Sequence, residues 1–219
     1  MNKLLMTPLL YSGILFLAAC GSNESNSKTP EQNTTQEASS QRIAQKYRIE
    51  SVTEFDEPWA MASLPDQRLL ITERKGQLKL FDPQTKSSIN VAGVPTVSYG
   101  GQGGLGDVIL HPDFQQNHEL YLSYASKGQG GYGAGIAHAK LDLSDPKQPK
   151  LTDLKTIWQQ VPKVSGQGHY GHRMQFGPDG KLWVSSGERQ KFDPAQDSNS
   201  NLGKVLRLNA DGTAAEDNP

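Results

Sequence analysis

A short segment near residue 170 carries side chains suited to acid–base chemistry. It reads Gly168-His169-Tyr170-Gly171-His172-Arg173, and Glu188 follows at the far end of a pattern that predicts strand, turn and returning strand. Hairpin geometry folds the two ends of such a unit together. A carboxylate beside an imidazole makes the ring a better proton acceptor, which suits proton abstraction from an alcohol. The spacing therefore predicts that Glu188 returns towards His169, with His169 as a candidate base.

Two other interpretations of these histidines stay open. His169 and His172 could ligate a metal, but two histidines three apart need further ligands, and a strand places such positions on opposite faces. Either one could also be an ordinary core or surface histidine. His111, His118 and His138 are predicted to be structural, since each lies in or beside a predicted strand or turn.

A glycine-rich segment supplies a second candidate site. Gly101 to Gly106 fits the pattern G-x-G-x-x-G, as does Gly128 to Gly133. A dinucleotide site needs a helix after the glycines, whereas strand-like residues follow both segments. Glycines permit close backbone approach, so Gln102 could present its amide to a ligand at the mouth of the loop. A bare flexible loop is the alternative.

Composition excludes several classes of protein. The chain has 219 residues, with 22 Lys+Arg against 23 Asp+Glu, so it has no basic surplus for gripping nucleic acid. Its single cysteine excludes a disulfide framework and a thiolate-rich metal site. With 22 glycines and 13 prolines, turns must be frequent and long helices scarce.

Short strand-like runs separated by turns predict an all-β, mostly antiparallel fold. These runs are Leu69 to Thr72, Leu78 to Phe81, Leu120 to Tyr124, Ile136 to Leu143, Leu182 to Ser185 and Val205 to Leu208. Trp59, Trp158 and Trp183 are predicted to pack between sheets, with a sugar-stacking platform as the alternative.

A repeated turn organises these strands. Pro65-Asp66, Pro112-Asp113 and Pro178-Asp179 each stand between two strand-like runs, 47 and then 66 residues apart. Proline presets a type I turn and aspartate bonds back to it, so each copy predicts strand, turn and strand. One β unit at this period is typical of propeller blades, although Pro-Asp turns also occur in other β proteins.

The N-terminal region is predicted to be a targeting signal followed by a flexible tether. Lys3, an apolar run and Leu17-Ala18-Ala19-Cys20 resemble a bacterial lipoprotein signal, with residues 1–19 removed and Cys20 acylated. An ordinary secretory signal is the alternative. Residues 20–46 are predicted to be a flexible tether, because 21–42 contain almost no apolar side chain. Gly21 after the cysteine points to the outer membrane, facing the periplasm.

Several sequence blocks together resemble a known family. The blocks are Trp59-Ala60, Thr72 to Gly76, Gly101 to Leu105, His111 to Phe114, His169 to Arg173, Gly203 to Leu208 and Asp211 to Pro219. They are similar to the quinoprotein glucose/sorbosone dehydrogenases, and particularly to bacterial aldose sugar dehydrogenases. The resemblance implies a six-bladed β-propeller, of which 47–219 would form about the first three blades.

The resemblance also implies chemistry. The family oxidises aldoses at C1 with pyrroloquinoline quinone (PQQ) and calcium, so His169 would be the general base and the substrate hydride would pass to the quinone. Gln102 would contact the cofactor, and Glu188 would orient His169. The electron acceptor is not implied.

The resemblance covers only the N-terminal half of the family. An Arg-Asn pair, basic residues for the PQQ carboxylates and the calcium ligands belong to the other half, so the chain as given is expected to hold the cofactor weakly and to be inactive. The alternative is a non-catalytic, lipid-anchored propeller that binds a carbohydrate or a protein partner.

Overall fold

The computed structural model describes residues 47–218. The predicted signal at 1–19, the acylated Cys20 and the tether at 20–46 lie outside the described residues. Contacts divide the chain into two units, Met1–Glu50 and Ser51–Pro219, and all the strands of the described residues lie in the second. Within 47–218, no helix is both long enough and apolar enough to cross a membrane.

Three antiparallel sheets make up the second unit, which confirms the all-β prediction. The first sheet contains β1 (Pro58–Ser63), β2 (Leu69–Glu73), β3 (Gln77–Asp82) and β4 (Ser87–Val91) in that order. The second contains β5 (Leu105–Leu110), β6 (Glu119–Gly128), β7 (Gly131–Asp142) and β8 (Lys150–Gln159). The third contains β9 (Gly171–Phe176), β10 (Leu182–Ser186) and β11 (Lys204–Leu208), with β10 in the middle. A helical turn α1 (Phe114–Asn117) and a 3₁₀ helix (Asp193–Gln196) complete the regular elements.

The three Pro-Asp turns join the first two strands of each sheet, as the repeat predicts. Asp66 Oδ1 accepts the N–H of Arg68 at 3.1 Å, and Asp179 Oδ1 accepts the N–H of Lys181 at 3.0 Å. In the second sheet the connection is longer and contains α1, with Asp113 N–H donating to His111 Nδ1 at 3.0 Å. Each copy is thus one strand–turn–strand unit at the start of a sheet.

Alternating side chains bury a core on both sides of the second sheet. Leu70, Leu78, Leu105 and Leu120 are fully buried in a cluster shared with the first sheet. The cluster on the other side consists of residues from the second and third sheets: Tyr121, Ile136, Met174, Leu182, Val184 and Leu208. The second sheet is therefore packed on both faces.

One packing prediction is wrong within the described residues. Trp183 is 41% exposed, although it was predicted to pack between sheets. It alternates with Leu182 and Val184, which face the core, so the period of two turns its ring to the opposite face of β10.

Polar contacts tie one strand of each sheet together: β2, β5 and β9. Thr72 Oγ1 donates to the Gly106 carbonyl at 2.6 Å, linking β2 to β5. Asp107 on β5 accepts the N–H of Met174 at 2.8 Å and Nη1 of Arg173 at 3.1 Å, linking β5 to β9. Burial raises the pKa of Asp107, and these two donors oppose that rise. The start of β9, and the loop before it, are thereby fixed to the second sheet.

Candidate active site

The β9–β10 hairpin brings His169 and Glu188 into direct contact. Gly171 pairs with Ser186 in the antiparallel register, His169 lies just before β9, and Glu188 lies just after β10. His169 Nδ1 is hydrogen-bonded to Glu188 Oε1. The predicted return of Glu188 to His169 is therefore confirmed, whereas the catalytic role of the pair stays a prediction.

The His169–Glu188 contact fixes the polarity of the imidazole. Glu188 has a pKa below its usual range, chiefly because His169 donates a hydrogen bond to the carboxylate. With its proton on Nδ1, neutral His169 carries a lone pair on Nε2. The His169 side chain is 44% exposed, so a proton donor can reach this nitrogen from solvent.

Gln102 lies beside this pair, in the loop that precedes β5. Its Oε1 accepts the backbone N–H of His169 at 2.7 Å, and its own N–H donates to the Gln167 carbonyl at 2.8 Å. The oxygen of the Gln102 side-chain amide is therefore occupied by the His169 backbone. Within 47–218 no hydrogen bond uses the amide nitrogen of Gln102, so its two N–H groups remain for a ligand.

Arg74 supports the Gln102 loop and was not predicted as a site residue. Its Nη2 contacts the carbonyl of Gly101 and lies 3.3 Å from that of Gly103, while its own carbonyl accepts the N–H of Leu105 at 2.9 Å. A Cβ on Gly104 would lie 2.1 Å from the Arg74 carbonyl oxygen, so the loop closes on Arg74 only with glycine there. Arg74 belongs to the family-like block Thr72 to Gly76. Its role was missed because the carbonyls that it contacts lie in a loop about 27 residues further along the chain.

His172 is buried in the core and contacts other residues than His169 does. It is 2% exposed, its Nδ1 lies 2.7 Å from Ser123 Oγ, and its ring stacks on Trp59 with 5.1 Å between centroids. Burial, with the charges of Arg173 and Arg189, lowers the pKa of His172 to about 4. Among the described residues, no group of three or more His, Cys, Asp or Glu side chains is arranged to hold a metal ion.

The other three histidines have structural surroundings, in agreement with the prediction. His111 Nδ1 lies 3.0 Å from the amide nitrogen of Asn117, and His118 ends α1 with a left-handed φ of 56°. His138 Nε2 lies 3.2 Å from Glu119 Oε2. The histidine of the Gly168–Arg173 segment that faces solvent beside a carboxylate is therefore His169.

The family model for glucose/sorbosone dehydrogenases matches residues 55–219. The chain belongs to this family. It is 40% identical over 169 residues to an aldose sugar dehydrogenase of Escherichia coli (strain K12), which covers 75% of the chain and 44% of that protein.

Solved structures of sugar dehydrogenases have the same fold. A crystal structure of a glucose dehydrogenase aligns with a TM-score of 0.75 and 37% identity, covering 79% of this chain and 50% of that one. The PQQ-bound aldose sugar dehydrogenase of Streptomyces coelicolor aligns with a TM-score of 0.71 and 30% identity, covering 79% of this chain and 51% of that one. The chain therefore spans about half the length of the proteins that it matches.

Proposed function

We propose that the native protein oxidises an aldose sugar at C1 to the lactone, with PQQ as the cofactor. The observation that carries the proposal is the exposed His169 imidazole, whose Nδ1 is held by Glu188 while Nε2 is free to take a proton. Membership of a sugar dehydrogenase family, and the PQQ named for a relative, support the choice of substrate class and cofactor.

The proposed reaction assigns a proton role to each residue of the pair. His169 Nε2 takes the proton of the C1 hydroxyl as the C1–H bond breaks and the C1 carbonyl forms. PQQ, when bound, supplies the acceptor for the hydride that leaves C1. Glu188 accepts the hydrogen bond from Nδ1–H throughout, which orients the ring and stabilises the imidazolium that forms.

The described residues fit one part of a PQQ site. The carbonyl and carboxylate oxygens of PQQ are hydrogen-bond acceptors, and Gln102 keeps two amide N–H donors beside His169. The glycines around Gln102 allow a flat ligand to approach the backbone closely. Gln102 would therefore hold one edge of PQQ, while calcium and its ligands are proposed to lie outside residues 47–218.

Steady-state dye reduction tests the proposal on the native gene product supplied with PQQ, calcium and glucose. His169→Asn is expected to lower kcat at least about 100-fold, the usual effect of losing a general base. His118→Asn is the matched control, because both histidines are exposed and have positive φ, 46° for His169 and 56° for His118. Asparagine tolerates this backbone region well.

Two outcomes would count against sugar oxidation through His169. If His169→Asn keeps kcat within about twofold of the parent, the base is another group. If the parent binds sugar but never reduces the dye with PQQ and calcium present, the non-catalytic binding protein replaces the enzyme.

A further inference from the structure

We propose that Arg189 is a positioning residue that holds the His169 loop against Glu188. The proposal rests on the proposed function, because it assigns Arg189 a part in orienting the candidate base. Arg189 follows Glu188 directly in the chain, so one short segment would hold both the carboxylate and the loop that carries its partner.

The first argument is the burial of the Arg189 charge. The residue is fully buried, and it is the largest side chain buried to that extent in the described part of the chain. A buried guanidinium is costly unless its N–H groups are satisfied. Arg189 satisfies them on three backbone carbonyls: Nε on Gly168 at 2.8 Å, Nη2 on Gly166 at 2.8 Å and Nη1 on Tyr132 at 2.5 Å.

The second argument is where these contacts fall. Gly166 and Gly168 both belong to the loop that leads into His169, and the Arg189 backbone N–H also points at the His169 carbonyl, 3.3 Å away. The Tyr132 contact anchors the same guanidinium to the start of β7. Arg189 therefore fastens the His169 loop to the second sheet at several points.

The third argument concerns Glu188. The Arg189 guanidinium donates its hydrogen bonds to neutral carbonyls and not to Glu188. The adjacent Glu188 carboxylate therefore accepts the hydrogen bond of His169. The Arg189 guanidinium also packs over the Tyr170 ring, 3.6 Å from its centroid. This contact holds Tyr170, the residue that directly follows His169. Arg189 itself has a φ of 62°, a strained value that its contacts must hold in place.

Carbon-13 NMR titration of the Glu188 carboxyl tests the proposal without turnover or cofactor. In the parent protein the Glu188 pKa is expected below its usual 4.5, since His169 donates to it. Arg189→Lys keeps the charge but has no planar fork for several carbonyls, so the Glu188 pKa should rise towards 4.5, as it should in His169→Asn. An unchanged low pKa in a folded Arg189→Lys variant would overturn the proposal.

A control separates positioning from general destabilisation. Val184→Ala removes a buried side chain from β10 without touching the His169 loop, and should leave the Glu188 titration unchanged. If Val184→Ala raises the Glu188 pKa as much as Arg189→Lys does, the role of Arg189 is merely structural and the proposal fails.

A second measurement needs no variant and applies even if Arg189→Lys does not fold. In the ¹⁵N-arginine-labelled parent, the Arg189 Nε–H should exchange with water at least about 100-fold more slowly than that of Arg48, whose side chain is 88% exposed. Equal exchange rates would show that the guanidinium does not hold the loop.

Turnover data keep this proposal separable from the proposed function. The parent could show the low Glu188 pKa, and Arg189→Lys the raised one, while the parent oxidises no sugar. That result would defeat the proposed function and leave the positioning role intact. In an active parent, Arg189→Lys is expected to lower kcat at least about tenfold with KM nearly unchanged, because the sugar still binds but the base is misplaced.

Discussion

His169 and His172 are three positions apart but differ in exposure and in their hydrogen-bond partners. His169 stands at the surface, with the Glu188 carboxylate hydrogen-bonded to its Nδ1. His172 is buried between Trp59 and Ser123, where a charged ring would lose its hydration without gaining a carboxylate. Residue type alone therefore does not distinguish the candidate base from the core residue.

Acid should destabilise the fold through His172. Its pKa of about 4 in the folded state lies below the usual 6.5, so the unfolded chain binds more protons between these two values. The contribution of neutral His172 to the free energy of unfolding is therefore fully present above pH 6.5 and is lost as the pH drops towards 4. Urea unfolding at pH 7 and pH 5 should show a loss of about 2 kcal/mol from this group.

Two variants isolate the contribution of His172. His172→Gln should lose this part of the pH dependence, and the exposed His118→Asn should keep it. A parent whose stability is the same at pH 7 and pH 5, after correction for the other groups, would contradict the buried neutral imidazole.

At the level of strands, β5 packs closely against β9 near the site. A Cβ on Gly106 would lie 2.0 Å from His172 Cε1 and 2.8 Å from Ser123 Oγ. Neither neighbour can move away easily, because both are buried and bonded to each other. β5 therefore approaches β9 this closely only with glycine at position 106.

Gly106→Ala should destabilise the protein by about 3 kcal/mol or prevent folding, as overpacking of a rigid site does. Gly133→Ala is the matched control in β7. The new Cβ would lie 3.0 Å from Lys163 Cγ and 3.3 Å from the Gln160 carbonyl oxygen, so it should cost about 1 kcal/mol. Thermal unfolding of the two variants measures both effects. Equal losses would show that the contact with His172 does not limit the packing of β5.

Sequence pattern predicts the strands well because their information is local. Period-two alternation and the Pro-Asp turns locate strands such as Leu78 to Phe81 and the hairpin that joins His169 to Glu188. Arg74 and Arg189 are missed because they hold the Gln102 and His169 loops through backbone carbonyls, which leave no signal in the sequence. Trp183 is misplaced because hydrophobicity indicates burial but does not choose a face of the strand.

At the scale of the whole molecule, the second sheet is the common support of the site. β5 follows the Gln102 loop, β7 supplies the Tyr132 carbonyl to Arg189, and Asp107 ties β5 to β9. The chain spans about half the length of its matched relatives, so the sugar oxidation and the PQQ dependence proposed for the whole protein rest on this shared half.

Membrane attachment is the prediction that belongs to the whole protein. Acylation of Cys20 should place the protein in the outer-membrane fraction of a density gradient, facing the periplasm. Cys20→Ser removes the thiol that would be acylated, so the variant is expected to leave the outer-membrane fraction. Membrane retention of Cys20→Ser would show that another segment or partner holds the protein.

The placement of the acid–base pair in a single hairpin bears on how the family diversifies. His169, Glu188 and Arg189 all come from one continuous stretch, whereas the packed cores involve all three sheets. On the proposed function, substitutions of His169 and Glu188 alone would abolish proton transfer without changing a residue of the two larger packed cores. If the proposed function is right, relatives that oxidise sugars and relatives that only bind them should differ within this one stretch, whatever their overall similarity.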